Sequence, residues 1–128
     1  MEKIETFGEF IKEKRMSVTP KITLKNMAAK MDMSLTLLSD IENGRKNPFG
    51  SQKIERFCEI MKLNDDDKVK MYDLAAREKN AVPEDITEKI MYTDIGDLAR
   101  EALRKSKEGA NTVEAWKRLI QELGEADD

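Results

Sequence analysis

Ser34 and Gly44 bracket a short helix, and that bracket constrains the fold more than any other feature of the chain. In MSLTLLSDIENGRKNP, residues 33–48, Ser34 supplies an N-cap hydroxyl, and Gly44 supplies the left-handed residue that ends a helix. Pro48 follows closely. Leu38 and Ile41 share one face, which must turn inward. Arg45 and Lys46 come directly after the glycine, in a chain whose net charge is −3.

The same grammar repeats along the sequence, and no segment sustains the alternation of a strand. The fold class predicted is all-α. Thr6-x-x-Glu9 forms a capping box for a helix through FGEFIKEKRM, with Phe7, Phe10 and Ile11 as its apolar stripe. Pro20 forbids that helix from continuing. Thr23 caps LKNMAAKM, whose inner face is Met27, Ala28 and Met31, and Asp32 and Met33 turn the chain. A fourth helix, SQKIERFCEIMKL, sets Ile54, Phe57, Cys58 and Met61 at core spacing. Beyond it, DDDKVKMYDLAAREKN opens on acids and closes on cations, as the helix dipole favours. Pro83 followed by Glu84 and Asp85 marks another start. The next helix carries Ile95, Leu98, Ala99, Ala102 and Leu103 on one face and is expected to end at Gly109. A last one, begun by Asn111-x-x-Glu114, carries Val113, Trp116, Leu119, Ile120 and Leu123. Residues 125–128 are expected to be a disordered acidic tail.

Composition narrows the chemistry. One cysteine and no histidine among 128 residues exclude zinc-finger ligation, Ser-His-Asp triads and Cys-His dyads. The carboxylates lie at helix starts or in the tail, where dipole and solvation account for them. No enzyme, metal or cofactor is expected. Cys58 and most of the eight methionines are expected in the core. No apolar run is long enough for a membrane span, no secretory signal opens the chain, and the cytoplasm is the expected compartment. Charge is unevenly spread: residues 1–62 hold 12 Lys+Arg against 9 Asp+Glu, and residues 63–128 hold 11 against 17. A basic front half suits a polyanion.

Two short helices joined by a tight turn, the second capped by Ser34 and closed by Gly44, describe a helix-turn-helix. The unit needs a small residue such as Ala28 where the helices meet, and an outer face left free for a major groove. In these residues, TLKNMAAKMDMSLTLLSDIENGRKNP resembles the Xre/Cro-repressor type of helix-turn-helix regulator. The resemblance extends over DLAAREKNAVPEDITEKIM and ALRKSKEGANTVEAWKRLIQEL, which look like a small Firmicute-type branch with a helical C-terminal extension. It implies a five-helix lambda-repressor-like domain over residues 1–63 and a helical dimerisation or partner-binding region over 64–124. It also implies a transcriptional regulator, a repressor, that binds double-stranded DNA. Leu35, Thr36, Ser39 and Asp40 would face the bases. Thr23, Lys25, Ser34, Asn43, Arg45, Lys46 and Ser51 would meet phosphates. Arg15 and Glu42 would form a structural ion pair. The family often places Gln, Arg, Ser or Asn where this chain has Leu35 and Asp40, and glycine where it has Asp32.

A homodimer on a pseudo-palindrome is expected, with recognition helices about 34 Å apart. Trp116, Leu119, Ile120 and Leu123 are the candidate dimer or partner residues. Two alternatives remain at this level. In one, the unit is a protein-binding module, antitoxin-like or a phage-type inhibitor, using the same face. In the other, the acidic C-terminal part senses a peptide or small molecule.

Overall fold

The computed structural model describes residues 5–126, and among them there are eight helices and no strand. They are α1 (Phe7–Ser17), α2 (Leu24–Lys30), α3 (Leu35–Glu42), α4 (Ser51–Met61), α5 (Asp65–Lys79), α6 (Thr87–Tyr92), α7 (Asp94–Lys105) and α8 (Ala110–Ala126). None is long and apolar enough to cross a membrane. The chain divides into two compact units, 1–87 and 88–128.

Side-chain caps set the starts of the first three helices. The hydroxyls of Thr6, Thr23 and Ser34 accept from the N–H groups of Glu9, Asn26 and Leu37, and each removes one orphan donor. The ends of α2, α3, α4 and α5 share one device. A left-handed residue stands two places past the last helical residue in α2 and α3, and directly after it in α4 and α5. These residues are Asp32, Gly44, Lys62 and Asn80. After each, the next N–H reaches back into the helix: Met33 to Ala28, Arg45 to Asp40, Leu63 to Cys58 and Ala81 to Ala76. These are Schellman turns, which satisfy the last carbonyls.

The core of the first unit is a continuous apolar cluster. Phe7, Ile11, Met27, Met31, Leu38, Ile54, Phe57 and Met71 are its fully buried members. Phe7 meets Phe49 edge-on at 5.0 Å. Helix α5, beyond the expected boundary at residue 63, packs into the same cluster. Met71, Tyr72, Leu74 and Ala75 complete the cluster, and without them α1 and α4 would expose the faces they turn to α5. Glu55 of α4 accepts at 2.6 Å from the Tyr72 hydroxyl and at 2.9 Å from Lys68. The Tyr72 bond first, then the Lys68 bond, holds its carboxyl below the ordinary value. Cys58 is buried, as are Met27, Met31 and Met71; Met16 and Met91 are exposed.

The new boundary changes the charge picture. Residues 1–87 hold 16 Lys+Arg and 16 Asp+Glu, because α5 brings Asp65, Asp66 and Asp67 with it. Positive charge in this unit is local to particular surfaces and is not a net property.

The second unit departs further from expectation. Pro83 does not open a helix; residues 84–86 form a turn and α6 starts at Thr87. Helix α7 ends at Lys105, four residues before Gly109, because Ser106 turns to extended backbone. Helix α8 begins at Ala110, one residue before Asn111, with the Gly109 carbonyl accepting from Val113. It continues through Ala126, so residues 125 and 126 are helical, whereas Asp127 and Asp128 lie outside the described residues. The faces of α7 and α8 expected to point inward are largely exposed.

Candidate nucleic-acid interface

Helices α2 and α3 lie against each other through Ala28, which is buried, and against Leu38 and Ile41. The turn between them depends on Asp32 at φ 53°, a conformation that a short polar side chain tolerates. Two cations from α4 hold it from outside. The Lys53 ammonium donates to the carbonyls of Met31 at 2.7 Å and Asp32 at 3.3 Å, and the Arg56 guanidinium donates to Lys30 at 2.6 Å. Positive charge at the C-terminus of α2 opposes the helix dipole favourably. Neither residue was singled out from the sequence; the signal was a cation pair three residues apart on the polar face of α4.

Arg15 locks α1 to α3. Its guanidinium donates two bonds to the Glu42 carboxylate, both 2.9 Å, and a third to the Ile22 carbonyl at 2.9 Å. Both side chains are buried, so one group ties α1, α3 and the loop before α2. Bidentate geometry offsets the desolvation that such burial costs. Gly8 makes the same junction possible. A Cβ there would fall inside contact distance of the backbone carbonyls of Ile41 and Glu42.

The outer edge of α3 is free within this unit. Leu35 is 48% exposed and Leu37 40%; Thr36 and Asn43 are exposed, with Ser39 and Asp40 half-buried. Lys25, Arg45 and Lys46 are exposed around it. Several candidates have internal partners. The Ser34 and Thr23 hydroxyls serve as caps. The Asn43 amide donates to the Ser39 carbonyl at 2.9 Å and reaches its hydroxyl at 3.4 Å. Arg45 meets Asp40 at 3.2 Å, and the pairing neutralises the one acid on this edge.

Ser51 also has internal partners. Its N–H, at the start of α4, donates to the Glu84 carboxylate at 3.1 Å, and its hydroxyl lies 3.2 Å from that of Tyr72. A carboxylate already stands where a phosphate was expected. Lys79, 3.7 Å away, pairs with the same Glu84.

In the second unit the four residues expected at a dimer or partner surface lie on α8. Leu119, Ile120 and Leu123 are exposed, and Trp116 is half-buried. The Trp116 indole N–H donates to the Ser106 hydroxyl at 2.8 Å. Together with Ala102, Ala115 and Leu119 these two residues line a groove of about 430 Å³. Among the described residues no cluster of three or more His, Cys, Asp or Glu is gathered for a metal.

Comparison of the chain with protein-family models, curated proteins and solved structures yields no match.

Proposed function

We propose that the chain is a sequence-specific duplex-DNA-binding regulator of transcription. In this reading α2 and α3 form a helix-turn-helix, and α3 enters the major groove. The observation that carries the reading is the unobstructed outer edge of α3 in the first unit, framed by Lys25, Arg45 and Lys46. An eight-residue helix tied to α1 by Arg15–Glu42, and entered from a turn that Lys53 and Arg56 hold, suits that use. A reading helix must present its side chains without yielding.

Roles follow from chemistry. Leu35 would touch a thymine methyl, while Thr36 and Ser39 offer hydroxyls to base edges. Asp40 would accept from a cytosine amino group, with Arg45 beside it relieving repulsion from phosphates. Lys25 and Lys46 would fix register on the backbone. Repression is the regulatory sense implied by the sequence resemblance.

The test is selection of duplexes from a random pool with the purified full chain, followed by binding titrations at several salt concentrations. Affinity should fall steeply with salt, and Arg45→Glu/Lys46→Glu should weaken binding by about a hundredfold near 0.1 M salt. A double variant that binds the selected duplex as well as the parent overturns the reading. A second reading, a protein-binding module on the same face, draws on the exposure of Leu35 and Leu37. It predicts a complex that survives high salt and is lost in Leu35→Ala.

A further inference from the structure

Asp40 and Arg45 leave the protein surface from nearly the same point. The Arg45 N–H donates to the Asp40 carbonyl at 2.8 Å, and the Lys46 N–H reaches the same oxygen at 3.4 Å. Gly44, at φ 77°, turns the backbone back so that this contact can form. The guanidinium Nη1 then donates to Asp40 Oδ1 at 3.2 Å. Backbone and side chain both fasten Arg45 to the residue five places before it. Even so, the Arg45 side chain is 66% exposed and that of Asp40 24%. An ion pair this open to solvent adds little to stability, so the fold does not require it.

We infer that the two side chains act as one reading unit and that the unit specifies a C·G base pair; the inference rests on the DNA reading above. Their mutual bond leaves Oδ1 a lone pair with which to accept. It leaves Nη1 a second hydrogen and Nη2 two with which to donate. The major-groove edge of a C·G pair presents the complement in the same order. The cytosine N4 amino group donates, and guanine O6 and N7 accept.

Spacing agrees with chemistry. Cytosine N4 and guanine O6 are bonded to each other, about 2.9 Å apart, close to the 3.2 Å between Nη1 and Oδ1. The two bonded pairs can therefore lie edge to edge, with Nη2 on N7. An A·T pair offers this order only two partners, adenine N6 and N7. The pairing also removes the difficulty of an acid near phosphates, because Asp40 arrives with its charge offset. Lys25 and Lys46, both exposed, remain for the backbone.

The test uses the full chain and the duplex it selects from a random pool. At one position of that duplex the parent should prefer C·G over A·T about tenfold. Asp40→Ala and Arg45→Lys should each lose the preference at that same position. Combined, they should lose no more than either alone. Arg45→Lys keeps the charge and discards the fork, so a simple phosphate clamp would pass through it with base preference unchanged. A further probe needs no variant: 7-deazaguanine, which lacks the N7 acceptor, should weaken the parent about fivefold when it replaces that guanine. A preference that survives Arg45→Lys overturns the inference, as do losses at two different positions or losses that multiply in the double variant. So does a parent indifferent to 7-deazaguanine. A chain that selects a duplex with no such C·G position overturns the reading unit alone; one that selects no duplex overturns the DNA reading itself.

Discussion

Glu84 occupies a place where an internal anion would compete with an external one. Its carboxylate accepts from the Ser51 N–H at the start of α4, and an anion at a helix N-terminus is worth about 0.3–1 kcal/mol. The same N–H was expected from the sequence to face a phosphate. Glu84→Gln keeps an acceptor and removes the charge, so its two effects carry opposite signs. Stability should fall by about 0.3–1 kcal/mol. Under the proposed DNA reading duplex affinity should rise by about two- to fivefold, because a charge that would repel a phosphate at the start of α4 is removed. Urea unfolding and a binding titration on the same preparation check the pair of outcomes. An affinity that falls with stability would show that Glu84 serves the fold alone. Residues 83–85 read in the sequence as a helix start, so nothing marked Glu84 as a cap for a helix 33 residues earlier. Arg15 and Glu42, separated by 27 residues, were assigned to each other only through the family resemblance. Spacing alone carries no information about such distant pairs.

At the scale of the element, Gly8 and Lys62 show where local propensity and tertiary geometry part. Gly8 lies inside α1, where helix propensity favours alanine over glycine by about 1 kcal/mol. The carbonyls of Ile41 and Glu42 leave no room for that methyl group, so Gly8→Ala should destabilise the protein by about 3 kcal/mol. Lys62 ends α4 at φ 53°, where an L side chain is strained and glycine is not. Lys62→Gly should therefore stabilise by about 0.5–1 kcal/mol. Chemical unfolding of both variants tests the signs, which are the reverse of what each residue's own helix preference suggests. Caps at Thr6, Thr23 and Ser34, the terminator at Gly44 and the buried faces of the first four helices were legible because each is written within a few residues. The tight crossing at Gly8, the cations Lys53 and Arg56 holding the turn, and the end of α7 at Lys105 were not. Each depends on where another part of the chain arrives.

For the molecule as a unit, the placement of α5 decides what can be separated from what. The family resemblance implied a division after residue 63, close to where the composition changes from basic to acidic. Charge composition follows solvent and partners, whereas the boundary follows the core, and every member of the buried apolar cluster lies between Phe7 and Ala75. The strap of residues 81–86 belongs with that cluster, since Ala81 closes α5 and Glu84 caps α4. A chain ending after Thr87 should therefore unfold cooperatively, with a midpoint close to that of the 1–87 unit within the parent. A chain ending after Leu63 should not, because Met71, Tyr72 and Leu74 would be missing from a core that has no substitute for them. Scanning calorimetry on the two fragments makes the comparison. Binding adds a second readout. If two copies are paired through the C-terminal helices, as the sequence resemblance implies, the 1–87 fragment keeps one reading helix but loses the intramolecular engagement of the second half-site. Its affinity for a palindromic duplex should fall by about a hundredfold or more, and its affinity for a single half-site should stay near that of the parent. An equal loss on both duplexes would place DNA contacts in residues 88–128. No loss on either would mean that each chain reads its site alone.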